Sequence, residues 1–224
     1  MPPESPMPDV INFDLDGTIL NVESRFRRAL NAARAIEGLS PMEVADFHVR
    51  YRSGGLSSDV RPERIEPFWR TFLDRFCFDP GETLGEPYPG VFDALDRIRA
   101  AGIRTAIITN RSAPSDHVAE ELDRLGIRGH FDLVLSQGSF NFRQVGGSWC
   151  KSSMILHAAE SFAVGPNRMA MVGDLSVDIT SARTAGCGWA VAVRSGGSPA
   201  HELERVGPDA IVDSVADLID HFGL

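Results

Sequence analysis

The stretch V-I-N-F-D-L-D-G-T, residues 10–18, decides the fold. Its first four residues are mostly apolar, and they run directly into Asp14, Asp16 and Gly17. A short apolar run closed by a glycine turn reads as a buried strand. The same pattern recurs at Arg104–Thr109, Asp132–Ser136, Arg168–Val172, Trp189–Val193 and Ala210–Val212. Between these runs the apolar spacing turns helical, over Val91–Ala101, Pro114–Leu125, Ser152–Phe162, Val177–Ala185, Pro199–Val206 and Val215–Phe222. Strands alternating with helices predict an α/β core, a doubly wound parallel sheet with helices on both faces.

Residues 22–86 break the alternation. They hold no convincing strand, and three helices are expected, over Glu23–Ile36, Pro41–Tyr51 and Pro62–Arg75. The S-P-M-E run at Ser40–Glu43 has the form of a helix start, with a capping Ser, an early Pro and a Glu three residues on. The alternating pattern resumes at Y-P-G-V, residues 88–91. The expected organisation is a loose Pro-rich tail over 1–9, a core from 10–21 and 87–224, and a helical insert over 22–86.

The net charge is −9 and the isoelectric point about 5.1, so nucleic acid and anionic membrane are poor partners. No apolar run approaches the roughly 20 residues that a membrane span needs. The N-terminus lacks a basic stretch followed by an apolar one, so a cytoplasmic protein, monomer or homodimer, is expected. Cys77, Cys150 and Cys187 are too scattered for a zinc site or a disulfide framework. Among 22 Lys and Arg residues the only lysine is Lys151. Where arginine is the default cation, a solitary lysine marks a place that needs a compact point charge.

Ligands of an open parallel sheet bind beyond the carboxyl ends of the strands. Asp14 and Asp16 lie there after the first strand, Thr109-Asn110 close the second, and Gly173-Asp174 follow the fourth, with Asp178 four residues on. Several acids at one sheet edge repel one another unless a cation sits among them, and a few hard oxygen ligands suit Mg²⁺. The i, i+2 spacing of Asp14 and Asp16 turns both to one side if the chain is still extended. Two such carboxylates supply a nucleophile and a general acid–base, with Lys151 and the metal neutralising a transferring phosphoryl group. Thr109 and backbone N–H groups would hold its oxygens.

These four motifs, D-L-D-G-T at 14–18, T-N at 109–110, Lys151 and G-D-L-S-V-D at 173–178, resemble those of the haloacid dehalogenase-like hydrolases. Y-P-G-V at 88–91 and S-A-R-T-A-G at 181–186 resemble the phosphoglycolate-phosphatase-like branch. The resemblance implies a Rossmann-like core with a small all-helical cap inserted. It implies a phosphatase of a small phosphorylated metabolite, 2-phosphoglycolate by default. Asp14 is then the nucleophile that forms an aspartyl-phosphate, and Asp16 the acid–base. The Asp14 carboxylate, the Asp16 carbonyl and Asp174 would hold Mg²⁺, while Thr109, Asn110 and Lys151 bind phosphate and Asp178 positions Lys151 or a metal-bound water.

Other readings of the same chain are weaker. Asp16 argues against carbon–halogen cleavage, whose enzymes lack that second acid, and an insert without lysine excludes Schiff-base chemistry there. A β-phosphoglucomutase-like transferase would carry a His early in the insert, where this chain reads N-V-E-S-R-F-R. A non-enzymatic binding protein would not need a complete set of catalytic motifs. Ser152 and Asn21 stand where many relatives have Pro and Asp, and the segment 137–150 is long. Within the insert, Arg50 and Arg52 flank the turn at Gly54 and offer donors to a second anionic group of the substrate, or else pair with neighbouring acids such as Asp46 or Asp59.

Overall fold

The computed structural model describes residues 7–78, 85–139 and 150–224, apart from the side chain of Arg52. Most of the expected tail, along with Phe140, Phe142 and Trp149, which could line a substrate pocket or simply pack, lies outside the described residues. The chain divides into two compact units, one of Met1–Asn21 with Glu86–Leu224 and one of Val22–Gly85. No described helix is long and apolar enough to cross a membrane.

In chain order the first unit begins with β1 (Val10–Phe13) and β2 (Leu20–Asn21). The second unit holds α1 (Glu23–Ile36), α2 (Val44–Ser53) and α3 (Ile65–Phe78). The first unit resumes with β3 (Glu86–Pro87), α4 (Val91–Ala100), β4 (Arg104–Thr109), α5 (Ser115–Arg124) and β5 (Leu133–Ser136). It continues through α6 (Ser152–Phe162), β6 (Met169–Gly173), α7 (Ser176–Ala185) and β7 (Trp189–Val193). It ends with α8 (Ala200–Arg205), β8 (Ala210–Val212) and α9 (Leu218–Phe222).

The main sheet is parallel throughout, in the order β5-β4-β1-β6-β7-β8. This is the doubly wound α/β, Rossmann-like architecture, with β1 central. Every residue of β1 and β6 is buried, because helices cover both faces of a parallel sheet and leave no wet side for alternation. Phe13 pairs in register with Ile107 of β4 and Val172 of β6. The three strands therefore run out at nearly one level, which puts Asp14, Thr109 and Asp174 along a single edge. The strand order reverses about β1, the position where such sheets bind ligands.

A feature absent from the sequence reading is a two-stranded antiparallel ribbon that pairs Leu20 with Pro87 and Asn21 with Glu86. Strands of two residues carry no readable periodicity. The tail is also partly tied down. Asp9 Oδ2 accepts from Arg168 Nε at 2.8 Å, and Asp9 N–H donates to the Arg168 carbonyl at 2.8 Å.

In the Val22–Gly85 unit, Phe26 of α1 meets Phe72 of α3 at 4.5 Å between ring centroids and Tyr51 of α2 at 5.3 Å. Buried Arg34 spans the unit. It donates to both carboxylate oxygens of Asp59, each at 3.0 Å, and to the Ser40 carbonyl at 2.8 Å. The second helix starts at Val44 rather than Pro41. Met42 N–H donates to Asn31 Oδ1 at 2.8 Å, so residues 40–43 are fastened to α1 instead of opening a helix.

Candidate active site

Asp14 is the first residue beyond β1, and its N–H donates to the Val172 carbonyl at 2.8 Å. Its carboxylate meets the ammonium of Lys151, which is 1% exposed and also lies 2.7 Å from Asp178 Oδ1. Lys151 precedes α6, where its own N–H donates to Ser181 Oγ at 2.8 Å. Asp178 has two tasks. One oxygen faces Lys151, and the other accepts the Leu175 N–H at 3.0 Å, closing the first turn of α7. Asp178 thus caps the turn and lies beside the Lys151 ammonium at once.

Asp174 accepts from Thr18 Oγ1 at 3.3 Å and from Gly197 N–H at 2.8 Å. Two glycines let it in. A Cβ on Gly17, whose φ is +89°, would stand 2.6 Å from Asp174 Oδ2, and one on Gly196 would stand 2.0 Å from it. Both approaches are closer than any side chain permits.

Asp14, Asp174 and Asp178 are buried, and each offers a carboxylate oxygen within 4.8 Å of the others. Burial lifts the Asp14 carboxyl well above the usual range; Lys151 pulls it down, and Asp178, Asp174 and Asp16 push it up. Burial and Asp178 push Asp174 up to about 7, against the Gly197 N–H and Lys151. At Lys151 burial disfavours the charge, but Asp14 and Asp178 outweigh it and hold the ammonium above its ordinary value. When all three acids are ionised against one ammonium, two excess negative charges stand in a buried place, which costs on the order of several kcal/mol per ion unless compensated. Hard oxygen donors with a double negative excess fit Mg²⁺.

Asp16 departs from the expected geometry. The extended chain ends at Phe13 and bends before Asp16, so the two-residue alternation does not carry over. The Asp16 carboxylate lies outside the acid group and is gripped by Arg111, with Nε donating to Oδ2 at 2.7 Å and Nη2 to Oδ1. Arg111 Nη1 donates to Glu121 Oε2 at 2.7 Å. Burial opposes the Arg111 charge, yet Asp16 and Glu121 outweigh it and raise the guanidinium above its usual value. The sequence reading did not single out Arg111. Its signal, a cation directly after Thr109-Asn110, is faint in a chain whose default cation is arginine.

Thr109 is buried at the end of β4, and its Oγ1 accepts the Arg111 N–H at 3.3 Å; Asn110 follows, half-buried. In the helical unit, Arg50 Nε is paired with Asp46 at 3.0 Å and its Nη1 with Asp59 at 3.1 Å. These are the two neighbouring acids named in the alternative reading of this loop. Gly54, at φ +70°, ends α2. The Arg52 side chain lies outside the described residues.

A family model described as haloacid dehalogenase-like hydrolase matches residues 8–186. The phosphoglycolate phosphatase of Chromobacterium violaceum is 31% identical over 225 residues, 94% of each chain. The N-acetylmuramic acid 6-phosphate phosphatase of Pseudomonas aeruginosa is 32% identical over 222 residues, 93% of this chain and 92% of that one. The crystal structure of a predicted phosphoglycolate phosphatase from Haemophilus somnus superposes with a TM-score of 0.75 at 25% identity, covering 98% of this chain and 99% of that one. The chain belongs to the haloacid dehalogenase-like hydrolase family.

Proposed function

We propose that this hydrolase is a Mg²⁺-dependent phosphomonoesterase that works through an aspartyl-phosphate on Asp14. The observation that carries the reading is the pairing of a buried carboxylate, Asp14, with the ammonium of Lys151 at the carboxyl edge of β1. A carboxylate oxygen of Asp14 attacks phosphorus, the ester P–O bond breaks, and Asp16 gives its proton to the leaving oxygen. Water then attacks the phosphorus, Asp16 takes its proton, the bond to Asp14 breaks, and phosphate departs. Lys151 neutralises charge on the transferring oxygens while Asp178 keeps its ammonium in place. The Thr109 hydroxyl and the Asn110 backbone are the proposed phosphate donors. Asp14, the Asp16 carbonyl and Asp174 would hold Mg²⁺, which when bound neutralises phosphoryl oxygens and lowers the barrier to attack by an anion.

The relatives named above act on phosphoglycolate and on N-acetylmuramic acid 6-phosphate. Both are phosphate monoesters that also carry a carboxylate. That shared chemistry makes a carboxylate-bearing phosphomonoester the substrate class, with 2-phosphoglycolate the first to try. The test measures phosphate release, with and without Mg²⁺, from both compounds, from glucose 6-phosphate and from p-nitrophenyl phosphate. Mg²⁺-dependent release that Asp14→Asn abolishes is expected, with the carboxylate-bearing esters preferred. Turnover surviving in Asp14→Asn overturns the mechanism; preference for glucose 6-phosphate overturns the substrate class alone.

A further inference from the structure

The most unusual arrangement outside the acid cluster is the chain of three charges Asp16–Arg111–Glu121. Arg111 and Glu121 are both only 2% exposed at the side chain, and Asp16 19%. A buried guanidinium between two carboxylates is expensive to assemble, and as a source of stability an apolar trio of similar volume would serve as well. What it offers that an apolar trio does not is orientation. Two parallel N–H groups of Arg111 meet the two oxygens of Asp16, which fixes both the position and the plane of that carboxylate. The third contact, to Glu121 on α5, fixes the guanidinium itself. Arg111 is held at its root as well, since its N–H donates to Thr109 Oγ1 at the end of β4.

The clamp does not consume the chemistry of Asp16. A carboxylate has about four lone-pair sites, and Arg111 takes one on each oxygen, so a site on each remains for a proton. Asp16 itself sits after the bend in the chain, beyond the main sheet, in a tight turn whose backbone is tied by a single bridge to Leu20, and no regular helix or strand of the core aims its side chain. A general acid must reach the leaving oxygen within hydrogen-bond distance, so a carboxylate on such a segment needs an external support.

We propose that Arg111 is the positioning residue of Asp16, and that Glu121 is the strut that holds Arg111 in place. The inference rests on the assignment of Asp16 as acid–base, and its test is chosen to fail separately. p-Nitrophenolate leaves without being protonated, whereas an alkyl alkoxide does not. Loss of Asp16 alignment therefore slows phosphoryl transfer from an alkyl ester but not from p-nitrophenyl phosphate. Hydrolysis of the phosphoenzyme, which needs Asp16 as base, slows for both.

The experiment is rapid-quench kinetics on the full chain with Mg²⁺, using p-nitrophenyl phosphate and glycerol 2-phosphate. Asp16→Asn is the benchmark, and Arg111→Met, Arg111→Lys and Glu121→Gln are the variants. For Arg111→Met we expect roughly 10–10²-fold lower kcat on the alkyl ester, part of the 10²–10⁴-fold that acid–base help supplies. KM should be nearly unchanged and the p-nitrophenolate burst preserved. Arg111→Lys, which makes a point contact instead of a fork, should recover part of the loss. Glu121→Gln should show the same pattern more weakly. If Arg111→Met does not fold, Arg111→Met combined with Glu121→Leu removes both buried charges while keeping the volume, and the same burst split is expected of it. Equal loss on burst and alkyl transfer, or a rise in KM alone, overturns the positioning role. An Asp16→Asn enzyme without the burst split would instead refute the acid–base assignment on which it rests.

Discussion

Asp174→Asn separates the electrostatic cost of the acid group from its use. The Asp174 carboxyl is pushed from its ordinary 3.8 up to about 7 by burial and Asp178. At about 1.4 kcal/mol per tenfold in proton affinity, the ionised group costs the folded chain on the order of 4 kcal/mol. Asp14, itself raised by burial and by its acidic neighbours, titrates with it, so the single substitution should relieve only part of this, about 1–3 kcal/mol. The amide has the same size, so the close approaches of Gly17 and Gly196 survive, and its oxygen still accepts from Gly197 N–H. The sign follows from proton binding. Because the folded-state value is raised, the folded chain holds more protons than the unfolded chain between about pH 4 and pH 7. Metal-free wild type therefore loses stability from this group as the pH rises through that window, and the variant does not. The two should be nearly equal at about pH 4, and the variant should be several degrees more stable at about pH 8. Thermal unfolding of EDTA-treated protein at both pH values, repeated with Mg²⁺, measures this. Mg²⁺ should raise the wild-type midpoint and leave that of the inactive variant nearly unmoved. A variant less stable than wild type at about pH 8 without metal, or equal stabilisation of both by Mg²⁺, would refute the reasoning.

Two further outcomes follow from the same geometry. Lys151→Arg should lower kcat on p-nitrophenyl phosphate roughly 10²-fold or more, since a planar fork cannot take the place of a buried point charge held between Asp14 and Asp178; near-normal turnover would show that any cation suffices there. Gly196→Ala places a Cβ where only 2.0 Å separates it from Asp174 Oδ2, so a Mg²⁺ titration of activity should shift to roughly 10–100-fold higher concentration, and an unchanged half-activation point would remove Asp174 from the metal site.

The sequence by itself determined the α/β sheet and the family. Buried parallel strands are continuous apolar runs, and the residues at which those runs stop, Asp14, Thr109 and Asp174, lie at the ligand-binding edge of any such sheet. It also marked Lys151, because a lone lysine among arginines is a contrast that composition makes visible. The tertiary structure alone decided the pairings of the arginines. Arg111 and Asp16 are 95 positions apart, and they meet because β4 lies beside β1 in one particular register. For Arg50 the sequence left two readings open, a substrate anion or a neighbouring acid, and the fold of the helical unit brings Asp59 within 3.1 Å of it. The bend between Asp14 and Asp16 is likewise invisible to a spacing rule, which assumes an extended chain past the last residue that the sheet actually holds. A spacing rule sees only neighbours along the chain, whereas the partner of a charged group is set by strand order and register, contacts that no local stretch of sequence contains.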